Sequence, residues 1–214
     1  MRQEDAGIPH YYAKAPKVRQ KASHQEISIE LTRKAIHLLI ALVPFIQSFS
    51  KPLAIFLLAG GILAYILFEL LRMRGITVPL ISWVTARAAR LRDDGHFVTG
   101  PITLGLGALL AVLLFPPAPA KIAIFILAFA DGFSSLVGKT LGKIRLPLTQ
   151  GKSLEGSITC FTLSFLSAYL VSGREGGSLV IALVATIVEA APTKDWDNIL
   201  LPLVTGATAI FLGF

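Results

Sequence analysis

Apolar residues fall along the chain in long runs separated by short polar connections. Seven runs approach the roughly 20 residues that a helix needs to cross a bilayer. They are Ala35–Phe49, Pro52–Leu71, Thr99–Phe115, Ala120–Val137, Leu154–Ser172, Leu179–Pro192 and Ile199–Phe214. The pattern predicts an all-α, polytopic membrane bundle of about seven transmembrane helices. The second run is the clearest: Leu53–Phe68 carries no charge and is interrupted only by Gly60 and Gly61, which a membrane helix tolerates. No apolar stretch precedes Ile36, and residues 1–30 mix Glu4, Asp5, Glu26 and Glu30 with basic residues. Residues 1–30 are therefore expected to form a polar tail and interfacial segment rather than a signal peptide, and residues 31–214 the membrane-embedded domain.

Composition sharpens this picture. The chain has 214 residues, 54% hydrophobic and 15% charged, against about 25% charged in ordinary soluble domains. A mean hydropathy of +0.69 excludes a soluble enzyme. The 18 Gly and 12 Pro follow no period, and the single Cys160 has no partner in its own chain, so collagen-like and disulfide-scaffold folds are excluded as well.

The charge decides the expected orientation. With seven spans, the N-terminal tail and the second, fourth and sixth connections share a side. That side holds every one of the 20 Lys and Arg residues except Lys51, Lys121 and Arg174. Cytoplasmic segments retain positive charge, so the N-terminus is expected in the cytoplasm and the C-terminus on the opposite face. The net charge of +7 also suits anionic lipid head groups, and Val84–Leu91 reads as an amphipathic helix lying on the surface. No aromatic platform or nucleic-acid module accompanies the charge, so no nucleic-acid partner is expected. An oligomer is compatible with the sequence but not required by it.

Of the 13 acidic residues, all but Glu175 map to the same side. Orientation does not demand this, because Asp and Glu contribute little to topology. Glu69, Asp131 and Glu189 lie inside apolar runs or at their mouths. A carboxylate in hydrocarbon is costly unless paired, hydrated or metal-bound, which makes such a residue a candidate for function. Glu69 has an ordinary explanation in a local pair with Arg72. Asp131 and Glu189 have no such neighbour.

Three connections carry candidate chemistry. After Asp131, a continuing helix would put Ser135, Gly138 and Gly142 on one stripe. The stripe serves either close helix packing or a phosphate cradle beside Lys139 and Lys143. Gly138-Lys139-Thr140 is not a P-loop, because five residues rather than four separate Gly132 from Gly138, and no strand–helix unit surrounds it. Gly151-Lys152-Ser153-Leu154-Glu155-Gly156-Ser157 opens the fifth run; it is an anion site by helix geometry or a plain helix start with Ser153 as N-cap. The stretch from Glu189 through Pro192, Lys194, Asp195 and Asp197 to Asn198 concentrates oxygen ligands of the kind Mg²⁺ prefers, or forms a solvated cap. Arg33 and His37 share a helix face at the first membrane crossing, with Glu30 able to pair with Arg33 or Lys34. No second His or Cys stands at zinc-ligand spacing.

At these residues the chain resembles the CTP-dependent polyisoprenoid-alcohol and lipid kinases, the group of dolichol, phytol and farnesol kinases and the CTP-using diacylglycerol kinase of yeast. The Glu-x-x-Arg-Lys-x-x-His stretch from Glu30 to His37, Thr99-Gly100, the segment from Asp131 to Lys143 continuing through Gly151–Ser157, and Glu189 with Asp197-Asn198 carry the resemblance. It implies transfer of the γ-phosphate of CTP to the hydroxyl of a membrane lipid alcohol, with a divalent cation, Mg²⁺ or another, at the cytoplasmic face. Asp131, Asp197 and Glu189 would then be the catalytic and metal-holding acids, supported by Asn198. Arg33, Lys34, His37, Thr99, Gly100, Gly138, Lys139, Gly142, Lys143, Gly151, Lys152, Ser153, Glu155, Gly156 and Asn198 would bind substrate. Where the family usually shows Gly-Asp, this chain has Ala130-Asp131-Gly132, and it is shorter than eukaryotic dolichol kinases. A CDP-lipid synthase would show a late His-Gly-Gly followed by Asp-Arg-x-Asp, which is absent. A small transporter would show midplane charges in several spans and weak repeats, which are also absent.

Overall fold

The computed structural model of the chain describes residues 24–76, 97–147, 149, 151–193 and 196–214, with side chains from Glu30 onward. The expected amphipathic helix at Val84–Leu91, the tail before residue 24, and Lys194 and Asp195 lie outside the described residues. All regular structure among the described residues is helical. The elements are α1 (His24–Leu39), α2 (Val43–Phe49), α3 (Lys51–Met73), α4 (Gly100–Leu114), α5 (Pro117–Phe125), α6 (Gly132–Thr140), α7 (Leu154–Ser172), α8 (Glu175–Ala190) and α9 (Asp197–Phe211).

Six of the seven apolar runs become single helical segments with ends within a few residues of expectation. The first does not: Ala35–Phe49 is divided among the end of α1, a 3₁₀ turn at Ile40–Leu42 and the short α2, whose first turn contains Pro44. Proline lacks an amide hydrogen and is best accommodated in the first turn of a helix, and the run is segmented there. Local chemistry sets the other ends. Ser50 caps α3, its hydroxyl accepting from Leu53 N at 3.3 Å, and Gly173, at φ 66°, ends α7 in the left-handed conformation.

α5 and α6 are joined without a break by one wide π turn, Ile126–Asp131, giving a continuous run Pro117–Thr140. This run, α3 and α7 are long and apolar enough to cross a membrane; α4 and α9 are apolar but shorter. The joined α5–α6 run is the centre of the molecule. On one flank Leu127 and Ile124 pack with Val43, Leu58, Leu104 and Val112 from α2, α3 and α4. On the other, Ile122 and Ile126 pack with Cys160, Ile181 and Leu201 from α7, α8 and α9. α3 by contrast turns Phe56, Leu57, Leu63 and Leu67 outward, as a lipid-facing helix should.

Two close approaches hold the bundle together near its polar end. Gly107 of α4 sits so close to the Asn198 carbonyl at the start of α9 that no β-carbon would fit. A β-carbon on Gly156 would lie 2.9 Å from the Ser134 carbonyl, and one on Gly138 would lie 3.1 Å from Ser153 Oγ. The small residues of α6 and α7 thus serve close helix packing. Gly142 falls beyond the end of α6, where it packs against Ser153, so the expected four-residue stripe ends at Gly138.

Candidate active site

The ends of five helices converge on one cavity of about 380 Å³. α1 contributes Glu30, Arg33 and Lys34; the π turn and α6 contribute Asp131, Ser134, Ser135, Gly138 and Lys139. The connection into α7 adds Arg145, Thr149, Gly151, Lys152 and Ser153, and α7 itself adds Gly156 and Ser157. The end of α8 and the start of α9 add Glu189, Ala191, Pro192, Thr193, Asp197 and Asn198. Residues more than 160 positions apart in the chain therefore meet at one end of an apolar bundle.

Each wall is built by identifiable local chemistry. Glu30 is buried, and its Oε2 receives Arg33 Nη1 at 3.1 Å and the ammonium of Lys139, while Oε1 accepts from Ser135 Oγ at 3.3 Å. Burial alone would raise the Glu30 carboxyl, but Arg33, Lys139 and Lys34 together outweigh it and bring the group down to about 2. Glu30 thereby ties α1 to α6 and presents two cations to the cavity. Lys34 Nζ donates to the backbone oxygen of Asp131 at 3.2 Å and to its Oδ2 at 3.3 Å. Behind it the buried His37 places Nδ1 3.4 Å from the same Oδ2. His37 is an inner support of Asp131 and does not line the cavity.

The connection from α6 to α7 folds back as a tight antiparallel turn. Leu146 N donates to Lys152 O at 2.9 Å, and Leu154 N to Ile144 O at 2.9 Å. Gly151, at φ 96°, occupies backbone space that a side chain would strain, and Arg145 donates to its carbonyl. The fold-back carries Lys152 over the cavity, where Nζ meets Glu189 Oε1 at 2.9 Å.

Several expected site residues have other duties. The amides at the start of α7 are already used: Leu154 N by Ile144 O, and Gly156 N by the Ser153 hydroxyl at 3.2 Å. Ser153 is the N-cap, and the cavity's positive charge comes from side chains rather than from free amides at this helix start. Lys143 and Glu155 do not line the cavity. Glu155 Oε1 instead accepts from Lys143 N at 2.8 Å and Ile144 N at 3.3 Å, bracing the turn. Thr99 and Gly100 begin α4 outside the cavity. That helix reaches the site one turn later, where Thr103 Oγ1 accepts from Asn198 Nδ2 at 2.9 Å.

Asp131 and Asp197 line the same cavity. Among the described residues Asp197 makes no ion pair; its Oδ1 accepts from Asn198 N at 2.9 Å. No group of three or more His, Cys, Asp or Glu side chains among the described residues is arranged to hold a metal ion. Asp131, Asp197 and Glu189 line the cavity without forming such a cluster. The two aspartates beside Asn198 offer oxygen donors that suit a cation such as Mg²⁺, which takes one or two protein carboxylates and fills its shell with water and phosphate.

Arg145, Thr149, Ser134 and Thr193 were not expected at the site, and Ser157 was marked only as the end of the Gly151–Ser157 segment. Arg145 and Thr149 lie within a connection already marked by its lysines, but only the fold-back directs them. Ser157 lies one helical turn after Ser153, a spacing that could have placed it on the same face.

Fold and site together define a helical membrane protein with a cationic, carboxylate-bearing pocket at one end of its bundle. The chain's homologues are lipid kinases by name. It is 34% identical over 135 residues to the probable chloroplastic phytol kinase of Triticum aestivum, the match covering 55% of this chain and 45% of that protein. It is 28% identical over 203 residues to probable phytol kinase 1 of Glycine max, covering 85% and 66%. To the CTP-dependent diacylglycerol kinase 1 of Saccharomyces cerevisiae it is 21% identical over 147 residues, covering 67% and 51%. The chain spans less than half the length of the relatives it matches at 30–34% identity. No family model and no solved structure matches it.

Proposed function

We propose that the chain transfers the γ-phosphate of CTP to the hydroxyl of a membrane lipid alcohol of the phytol, polyprenol or diacylglycerol type, giving a lipid monophosphate. The observation that carries this reading is the convergence of Arg33, Lys34, Lys139, Arg145 and Lys152 with Asp131 and Asp197 on one cavity. Phosphoryl transfer asks a protein mainly to position its reactants and neutralise charge. The names of the homologues supply the nucleotide and the acceptor class.

In this reading Arg33 and Lys139, held by Glu30, meet the polyphosphate from one side, and Lys152 and Arg145 from the other. Lys34 holds the Asp131 carboxylate in place. Asp131 and Asp197 would hold Mg²⁺, which would supply positive charge to offset that of the phosphates. As the alcohol oxygen bonds to the γ-phosphorus, the bond from that phosphorus to the β,γ-bridging oxygen breaks and CDP leaves, while the hydroxyl proton passes to a carboxylate of this aspartate pair. The exposed apolar faces of the helices let a lipid approach from within the leaflet, while the nucleotide arrives from water. Seven membrane crossings with the N-terminus inside would put this end of the bundle on the cytoplasmic side, where the lysine-rich connections belong.

The purified protein, supplied with γ-labelled CTP, Mg²⁺ and a panel of phytol, polyprenols and diacylglycerol, is expected to label a lipid monophosphate. Asp131→Asn or Asp197→Asn should lower labelling by about 100-fold or more. Label released as pyrophosphate while phosphatidate is consumed would replace the kinase reading with a cytidylyltransferase.

A further inference from the structure

The cavity has a second wall whose hydrogen-bonding capacity is unused. Glu189 and Ser157 are both more than nine-tenths buried. Glu189 Oε2, Ser157 Oγ and Thr193 Oγ1 are shielded from solvent without a hydrogen-bond partner among the described residues. All three residues line the cavity. They come from α7, the end of α8 and the loop after it, while Arg33 and Lys139 come from α1 and α6. Buried polar atoms are rarely left unpaired, and three orphans around one cavity indicate that its occupant completes them.

The chemistry of the three atoms fits the base of the nucleotide already proposed for this cavity. With Oε1 paired to Lys152, Glu189 Oε2 accepts, and each hydroxyl can donate or accept. The pairing edge of cytosine presents the N4 amino donor with N3 and O2 as acceptors, which this set can satisfy. With the carboxylate oxygen at the exocyclic C4 position, uracil would set its O4 against it. Adenine matches the carboxylate and one hydroxyl but leaves the other without a partner, and guanine places O6 where the amino group is needed. A carboxylate accepting from cytosine N4 is a recognised pairing.

We infer that Glu189, Ser157 and Thr193 form a cytosine-reading subsite, with Glu189 Oε2 taking the N4 amino group and the two hydroxyls the ring acceptors. This rests on the reading of the cavity as a CTP site. It gives Glu189 a specificity role distinct from the metal-holding role expected from sequence. Rejection of uracil follows because a site built to receive a hydrogen bond is penalised when its buried acceptor meets another acceptor.

Equilibrium binding of CTP, UTP, ATP and 2′-deoxy-CTP, each with Mg²⁺, to the full chain in lipid nanodiscs tests the assignment. The wild type should bind CTP about tenfold or more tightly than UTP. Glu189→Gln, whose amide can donate to O4, should bring the CTP:UTP ratio to about one, and 2′-deoxy-CTP should follow CTP in both proteins. Ser157→Ala and Thr193→Ala should each weaken CTP severalfold while leaving the unfolding temperature unchanged.

The subsite is overturned if the wild type binds UTP as tightly as CTP, or if Glu189→Gln weakens every nucleotide equally. It is overturned too if that variant removes a preference for CTP over 2′-deoxy-CTP, which would place Glu189 on the ribose, or if both hydroxyl variants bind CTP normally. Cytosine-selective binding that responds to Glu189→Gln, without transfer to any alcohol, would uphold the subsite and sink the kinase reading. Transfer without cytosine selectivity would do the reverse.

Discussion

Glu69 and Glu189 occupy matching places in two regions of the molecule. Each is a buried glutamate near the C-terminal end of an apolar helix, α3 and α8 respectively. Their surroundings differ. Glu69 receives Arg72 Nε at 2.8 Å, Arg72 Nη2 at 2.7 Å and the amide of Val98 at 2.9 Å, so both its oxygens are occupied. Glu189 receives Lys152 on one oxygen and nothing from the described residues on the other. Burial of an acid in a membrane bundle therefore does not by itself mark function. The count of its partners separates a structural pin, which closes the start of α4 onto α3, from a group waiting for a ligand.

The contrast can be tested directly. The largest stability effect is expected at Glu69. Replacing it with Ala removes the charged partner of the half-buried Arg72 and leaves the Val98 amide without its acceptor, a loss of about 2 kcal/mol. A lower unfolding temperature in detergent with an unchanged CTP:UTP binding ratio would confirm the pin; a changed ratio would join the two regions functionally.

A smaller effect is expected at Glu30, which belongs to the cavity but is saturated like Glu69. Glu30→Gln should weaken CTP binding by about fivefold, the equivalent of roughly 1 kcal/mol, because Arg33 and Lys139 lose their shared charged anchor. The folded-state carboxyl lies at about 2, below the ordinary glutamate value of 4.5. Its stabilisation is therefore fully present above 4.5 and is lost only as pH falls towards 2. The difference between wild type and variant should stay constant between pH 6 and 8, and a titration of that difference in this window would contradict the clamp. The smallest effect belongs to Gly60 on α3, where an added β-carbon meets nothing within 4 Å. Gly60→Ala should gain up to about 1 kcal/mol of stability and leave nucleotide binding untouched.

What could be read from the sequence was whatever depends on near neighbours along the chain. The apolar runs gave the helices, Ser153 marked one helix start, and the Glu69–Arg72 pair was visible at its spacing of three. The division of the first run at Pro44 shows the limit, since an apolar stretch does not report how continuous its helix is. The π turn before Asp131 was likewise unreadable, because a single widened turn leaves the hydrophobic pattern almost unchanged. At the site, most of the charged residues marked in the sequence do meet in one cavity. Lys143, Glu155, Thr99 and Gly100 do not line it, because each is turned to bracing a connection or starting a helix.

The sequence alone determined that the protein is a helical membrane bundle with its cations and acids gathered in particular connections, because hydrophobic periodicity and charge placement are local properties of the chain. Only the tertiary structure decided which charges neutralise one another and which polar atoms remain open. The partner of Glu30 lies 109 residues away in Lys139, and that of Glu189 lies 37 residues away in Lys152. Such pairings arise from helix packing, and the unfilled hydrogen bonds that point to a ligand can be counted only after every protein partner has been placed.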